Sequence, residues 1–237
     1  MDVAKLIDQL TDQLSAIATP ERAEREKAYL KSDLRFLGAT VPQIQAATKA
    51  AVKRMGKLER GDLQELTRLC FASDLHEHRS LACALLQSNA KKLNAADLAW
   101  LAEAIDASKT WAYVDVLAVH PVGSIAARHP QEALAELATW TVHANFWRRR
   151  SALLALMGAW RAKTPFAGEL FELWSVPMLR EKEFFIRKAI GWVLREVAKR
   201  DPDYVRGYLQ RHGAELSGLS RREAQKGLVM AKTQGDA

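Results

Sequence analysis

Trp111 and Asp115 stand four residues apart in KTWAYVDVLAVHP, residues 109–121, a segment that otherwise reads as an apolar helix. That spacing sets an indole and a carboxylate on one helical face. Such a pair suits a positive charge. An aromatic face contributes about 0.5–1 kcal/mol to an exposed cation and about 2 kcal/mol to a desolvated one. A carboxylate adds Coulombic stabilisation that grows as water is excluded. Four segments that look like siblings, HRSLACALL, RRSALLALM, IRKAIGWVL and RREAQKGLV, carry arginine where VDVLAVHPV carries its acid. The residues in register are Arg79, Asp115, Arg150, Arg187 and Arg222, at spacings of 36, 35, 37 and 35. With Arg148, Arg149, Lys188, Arg195 and Arg221 nearby, they predict a row of cations with one acidic interruption. Each arginine taken alone also reads as a solvated charge at a helix start. Together they predict a polyanion-binding face, because the guanidinium fork holds phosphate oxygens bidentately. A nucleic-acid backbone is such a polyanion, and binding to it weakens steeply with salt.

The elements that must position these residues are helices. DVAKLIDQLTDQLSAIA, DLQELTRLCFAS, AADLAWLAEAID, PQEALAELATWT, AGELFELWSVPML and PDYVRGYLQRHG show apolar positions three and four apart. Thr19 and Pro20 suit a helix start. Pro42, Pro121, Pro130, Pro165 and Pro202 fall at expected helix boundaries. No alternating strand pattern or hairpin turn is evident. Two helices per repeat at a period of about 36 residues is the pattern of a helical solenoid. The expected fold is all-α, a HEAT-like helical repeat solenoid with a concave, basic DNA-binding face. It predicts one domain over 1–230 and a loose tail over 231–237.

Of seven tryptophans, Trp100, Trp140, Trp160 and Trp174 sit at helical spacing among leucines and alanines and are expected in the core. Trp111, Trp147 and Trp192 lie near the register positions, where packing and a role beside Asp115 are both open readings. The net charge of +7 fits a polyanionic partner. Cys70 and Cys83, without a CxxC, read as buried reduced thiols. HEH at 76–78 lacks a third metal ligand in range and reads as a solvated helix start. No metal and no cofactor are expected. No apolar run reaches the length of a membrane span. The N-terminus, acidic and without a cleavage site, predicts a cytoplasmic protein.

Few positive groups occur on a nucleic acid. An alkylated purine is cationic, and a sugar becomes oxocarbenium-like as its glycosidic bond breaks, a charge that glycosidases meet with a carboxylate. The alkylated base leaves neutral, so one carboxylate suffices.

At this point the chain resembles the AlkD family of DNA alkylation-repair glycosylases. The segments that carry the resemblance are YLKSDLRFLGATVP, SKTWAYVDVLA, NFWRRRSALL, EFFIRKAIGWVLREVAK with DPDYV, and LSRREA. It implies a HEAT-like fold that cups duplex DNA and excises N3- and N7-alkylated purines without base flipping. By position, Asp115 resembles the catalytic carboxylate, Trp111 and Trp192 its aromatic partners, and Arg150 the arginine that grips the backbone beside the lesion. Tyr29 and Arg195 match further cleft positions. Thr110 stands where an aromatic is common in the family, a departure that bears on lesion preference. The resulting expectation is a monofunctional N3-methyladenine and N7-methylguanine glycosylase, monomeric and nucleoid-associated. Two rivals use the same residues: a non-catalytic module binding damaged or branched DNA, and a protein–protein scaffold.

Overall fold

A computed structural model describes residues 2–235, in which the regular elements are helical. The sole pairing of strand type among the described residues is an isolated bridge between Arg35 and Leu75. By their contacts the residues divide into two compact units, Met1–Pro121 and Val122–Ala237, where the sequence reads as one domain over 1–230.

The first unit holds α1 (Val3–Ser15), α2 (Pro20–Leu30), α3 (Val41–Met55), α4 (Arg60–Ala72), α5 (His76–Ser88), α6 (Leu98–Ser108) and α7 (Trp111–Leu117). Its start is fixed locally: Asp2 caps α1 by accepting the Lys5 N–H at 3.0 Å. Thr40 and Gln43 form a reciprocal capping box on α3. Apolar stripes such as Leu6, Leu10 and Leu14 of α1 and Leu63, Leu66 and Cys70 of α4 then face inward. Within the unit α5 packs on α3, α4 and α7, while α6 packs on α4 and α7.

The second unit holds α8 (Gly123–Arg128), α9 (Pro130–Trp140), α10 (Phe146–Arg161), α11 (Ala167–Ser175), α12 (Phe184–Ala198), α13 (Pro202–His212) and α14 (Gly218–Gly235). Side chains of Asn145, Glu183 and Asp201 accept N–H groups at the starts of α10, α12 and α13. The centre is α10, buried continuously from Arg150 to Trp160 and packed on α8, α9, α11 and α12. Pro121, expected at a helix boundary, lies instead inside a π-helical segment, Ala118–Val122. Proline has no N–H to continue the ladder, and the widened turn accommodates that loss. In α14 helix continues over 231–235, residues expected in a loose tail, and 236–237 lie outside the described residues.

The register residues recur at one depth. Arg79 is the fourth residue of α5, Asp115 the fifth of α7, Arg150 the fifth of α10, Arg187 the fourth of α12 and Arg222 the fifth of α14.

Close approach of α8 and α10 depends on Gly158, where a Cβ would lie 2.1 Å from the Gly123 carbonyl oxygen. Gly61, in α4, has open space around the same position. We expect Gly158→Ala to destabilise by about 1–3 kcal/mol through overpacking. Gly61→Ala should instead gain up to about 1 kcal/mol from helix propensity. Thermal denaturation of both variants checks the opposite signs.

Candidate functional site

The α6–α7 junction sets the site in the first unit. Lys109 ends α6 in the left-handed region at φ 54°, and extended Thr110 starts α7, so Trp111 occupies its first position. Trp111 and Asp115, one turn apart, are both half-buried. Tyr29, 69% exposed at the end of α2, meets Trp111 edge to face at 6.0 Å. Thr110 itself is buried, and its Oγ1 has no hydrogen-bond partner.

Beside the Tyr29–Trp111 pair lies a cavity of about 200 Å³, lined also by Ile44, His76, Ser80 and Val116. His76 forms its floor, stacked on Phe36 at 4.3 Å. A hydrogen bond of 2.5 Å joins His76 Nδ1 to the Tyr113 hydroxyl, and one of 3.2 Å joins Nε2 to Ser80 Oγ. Next to it, the buried Glu77 carboxylate accepts the N–H groups of Leu37, Gly38 and Ala39 at 3.0, 2.9 and 3.2 Å. Gly38 makes this possible: its φ is 98°, and a Cβ would sit 2.1 Å from the Thr19 carbonyl oxygen. The HEH stretch is therefore not a solvated helix start. His76 and Glu77 are buried to 3% and 1% exposure and clamp the loop that follows Tyr29. Sequence reading missed them because charge and hydropathy alone do not reveal three amides waiting for a carboxylate.

The arginines largely serve helix ends. In the first unit Arg79 is buried. It donates to the Ser73 carbonyl behind it at 3.2 Å and the Ala107 carbonyl ahead at 2.7 Å. In the second unit Arg149 donates to the His143 carbonyl at 2.6 Å, and Arg187 to the Glu181 carbonyl at 2.9 Å. Arg221 donates likewise to the Gly213 carbonyl. Each reaches back six or eight residues to carbonyls just beyond the preceding helix, where the backbone dipoles favour a cation. Arg149 also holds Glu181 through both oxygens, and Arg195 pairs with Glu223 and Glu196. The expectation that these residues present their guanidinium groups to a ligand is corrected for Arg79, which lies inside.

Arg150 is also interior, at 1% exposure. Its Nη1 donates to the Phe185 carbonyl at 2.6 Å, and its guanidinium lies 5.9 Å from both the Phe185 and Trp192 rings. The structure thus brings together Tyr29 with Trp111 in one unit, and Arg150 with half-buried Trp192 in the other. Cations directed outward are Lys188, which lies 5.7 Å from the Phe184 ring, and exposed Arg222. Arg148, half-buried, lies over Trp140 at 5.5 Å.

Trp147 packs in the core between Phe146 and Phe185 at 4.4 and 4.7 Å. Trp140, Trp160 and Trp174 are buried as expected, whereas Trp100 is half-buried and donates to Asp97. Cys70 and Cys83 are free and buried, and burial pushes the Cys70 thiol up to about 12. Among the described residues no cluster of His, Cys, Asp or Glu could hold a metal ion, and no helix is long and apolar enough to cross a membrane.

A family model described as DNA alkylation repair enzyme matches residues 10–228. A solved structure titled as a predicted DNA alkylation repair enzyme from Enterococcus faecalis is 29% identical. It superposes with a TM-score of 0.73, covering 88% of this chain and 95% of that one. The crystal structure of AlkD2 from Streptococcus mutans is 19% identical with a TM-score of 0.56, over 89% and 97% of the two chains, a likeness of fold alone. No curated protein matches the chain.

Burial lowers the proton affinity of His76 to about 4, with Arg22 and Arg79 acting the same way and Glu77 opposing. An unfolded histidine titrates near 6.5. Between those values the unfolded chain binds a proton that the folded chain refuses. Stability should therefore fall as pH drops from about 6.5 to about 4, by about 3 kcal/mol in all. Urea denaturation at both ends of that window checks this; equal acid losses in wild type and His76→Gln would contradict it.

Proposed function

The chain belongs to the DNA alkylation repair enzyme family, whose model matches residues 10–228, and from that membership we propose a DNA glycosylase acting on cationic purines. Its substrates in this reading are N3-methyladenine and N7-methylguanine in duplex DNA, hydrolysed without flipping the base. The observation that carries the reading is Asp115 one turn after Trp111, in a slot where sibling helices bear arginine. The helix-end bond that arginines make elsewhere is supplied to α6 by Arg79 through the Ala107 carbonyl. Helix capping therefore does not require arginine at position 115, and a carboxylate one turn from an indole suits a cationic transition state.

In the reaction a water oxygen bonds to C1′ of the deoxyribose, and the N-glycosidic electron pair returns to the purine. The base departs neutral because it was a cation before cleavage. Asp115 stabilises the positive charge that develops on the sugar and receives the water's proton. Trp111 packs its ring against the deoxyribose and excludes water. Arg150, interior at 1% exposure, supports Trp192 from within at 5.9 Å from its ring rather than gripping a phosphate itself. Lys188, Arg222 and Arg148 supply phosphate contacts that carry no sequence information. Most enzymes acting on bases pull the target into a tight pocket at a cost of a few kcal/mol. A lesion that already carries its positive charge needs less. Neutral damage such as uracil, lacking that charge, is expected to be a poor substrate.

Removing one electrostatic catalytic group commonly costs about 10²–10³ in rate. Asp115→Asn should retain binding to alkylated duplex and lose that factor in release of free N7-methylguanine. Wild-type release by the variant removes Asp115 from the mechanism. Among the basic residues, Lys188→Gln and Arg222→Gln should each lower the salt dependence of DNA binding by about one ion, with folding unchanged. Arg79→Gln should instead lower the melting temperature, since it strands the Ser73 and Ala107 carbonyls.

A further inference from the structure

The second unit carries a cleft that the proposed excision chemistry does not use. It opens at the far ends of α10 and α12, has a volume of about 770 Å³, and includes Trp160, Arg161, Lys163, Arg200 and Tyr204 in its walls. Arg161 stands 11 residues after Arg150 on one helix (161 − 150), about 16 Å along its axis. The two aromatic rings lie 5.6 Å apart and nearly edge to face. Tyr204 is fixed there because its hydroxyl donates to the Gly168 carbonyl at 2.9 Å, and because a Cβ on Gly168 would come within 2.7 Å of the ring.

Arg161, Lys163 and Arg200 are exposed and reach this cleft from the ends of two helices. Helix capping does not explain them. The last carbonyls of α10 are taken by backbone N–H groups: Gly158 by Ala162, Ala159 by Thr164 and Trp160 by Lys163, at 3.0–3.1 Å. The Val197 carbonyl at the end of α12 is taken by the Arg200 and Asp201 N–H groups, both at 2.8 Å. Partial burial lowers the proton affinity of Arg161, the neighbouring Arg200 acts the same way, and Glu196 offsets part of the effect. Two guanidinium groups held near one another and not engaged by a carbonyl cap favour an anion between them. The acids in the cleft have other tasks. Glu172 is ion-paired with Arg211 and His212, whose hydrogen bonds hold it down to about 2, and Asp201 caps α13. Glu169 is exposed on the rim. Its charge opposes a long phosphate backbone but accepts a sugar hydroxyl.

We propose that this cleft is a nucleotide site, with the base against the half-buried Tyr204 ring and the phosphate held by Arg161, Lys163 and Arg200. The volume falls within the range of small-ligand pockets. Aromatic side chains paired with arginine suit a base joined to a phosphate. The ligand is either a free nucleoside monophosphate or the phosphorylated end of a strand.

The test titrates the full chain with AMP, adenosine, inorganic phosphate and a short 5′-phosphorylated single strand, following heat and tryptophan fluorescence. AMP should saturate and bind more tightly than adenosine or phosphate. Arg161→Gln/Arg200→Gln should weaken AMP at least about tenfold, and Lys163→Gln alone should weaken it measurably. Circular dichroism melting establishes that both variants fold. A strand that binds more tightly than AMP identifies the strand end as the ligand; equal or weaker binding identifies the free nucleotide. The proposal is overturned if AMP does not saturate, if phosphate alone binds as tightly, or if the double variant binds AMP as wild type does. Release of N7-methylguanine by the double variant should match wild type, so this outcome is read separately from the excision mechanism.

Discussion

A helix that ends inside a protein leaves carbonyls with no partner, and in this chain arginines from the following helix turn back to satisfy them. Arg79, Arg149, Arg187 and Arg221 each donate to a carbonyl six or eight residues earlier. The bond is charge-assisted and sits at the negative end of a helix dipole, so it is stronger than a neutral hydrogen bond. In two of the register slots, Arg79 and Arg187, the register residue makes that bond itself; beside Arg150 and Arg222 it is made by the preceding residues, Arg149 and Arg221. Position 115 departs from the rule, and the departure is supported: Arg79 extends a second N–H forward to Ala107, where the missing arginine would have acted.

The same bond explains what could be read in the sequence and what could not. Helices were legible because their apolar spacing and their capping residues agree, as at Thr40 and Gln43 of α3 or Asn145 of α10. The register of Arg79, Asp115, Arg150, Arg187 and Arg222 was legible as periodicity, and the structure puts every member in the first two turns of its helix. The direction of each guanidinium was not legible. A side chain at the start of a helix can point to solvent or fold onto the previous loop, and the choice depends on carbonyls that no residue type announces. Arg79 and Lys188 look alike in the sequence, yet one lies inside and the other outside.

Aromatic residues divide on similar grounds. Trp147 and Trp192 both stand near register positions, but Trp147 meets Phe146 and Phe185 and closes the core, while Trp192 keeps part of its ring exposed beside Arg150. Apolar spacing assigns both to a helix without distinguishing them. The Tyr29–Trp111 contact was harder still, since it joins helices α2 and α7, more than eighty residues apart in the chain. The buried pair His76 and Glu77 sat in a polar tripeptide whose composition suggested water on every side. Its partners lie about forty residues upstream, beyond the reach of local pattern.

Three consecutive amides hanging on one Glu77 carboxylate have a dynamic consequence. Leu37, Gly38 and Ala39 share one anchor at the base of α5, so moving the loop off that helix breaks all three bonds together. The loop and that helix should therefore behave as a single cooperative element of native-state motion, and solvent deuterons should reach those amides only when α5 itself frays. Tyr29, in the last turn of α2, leads into this anchored loop eight residues (37 − 29) before Leu37.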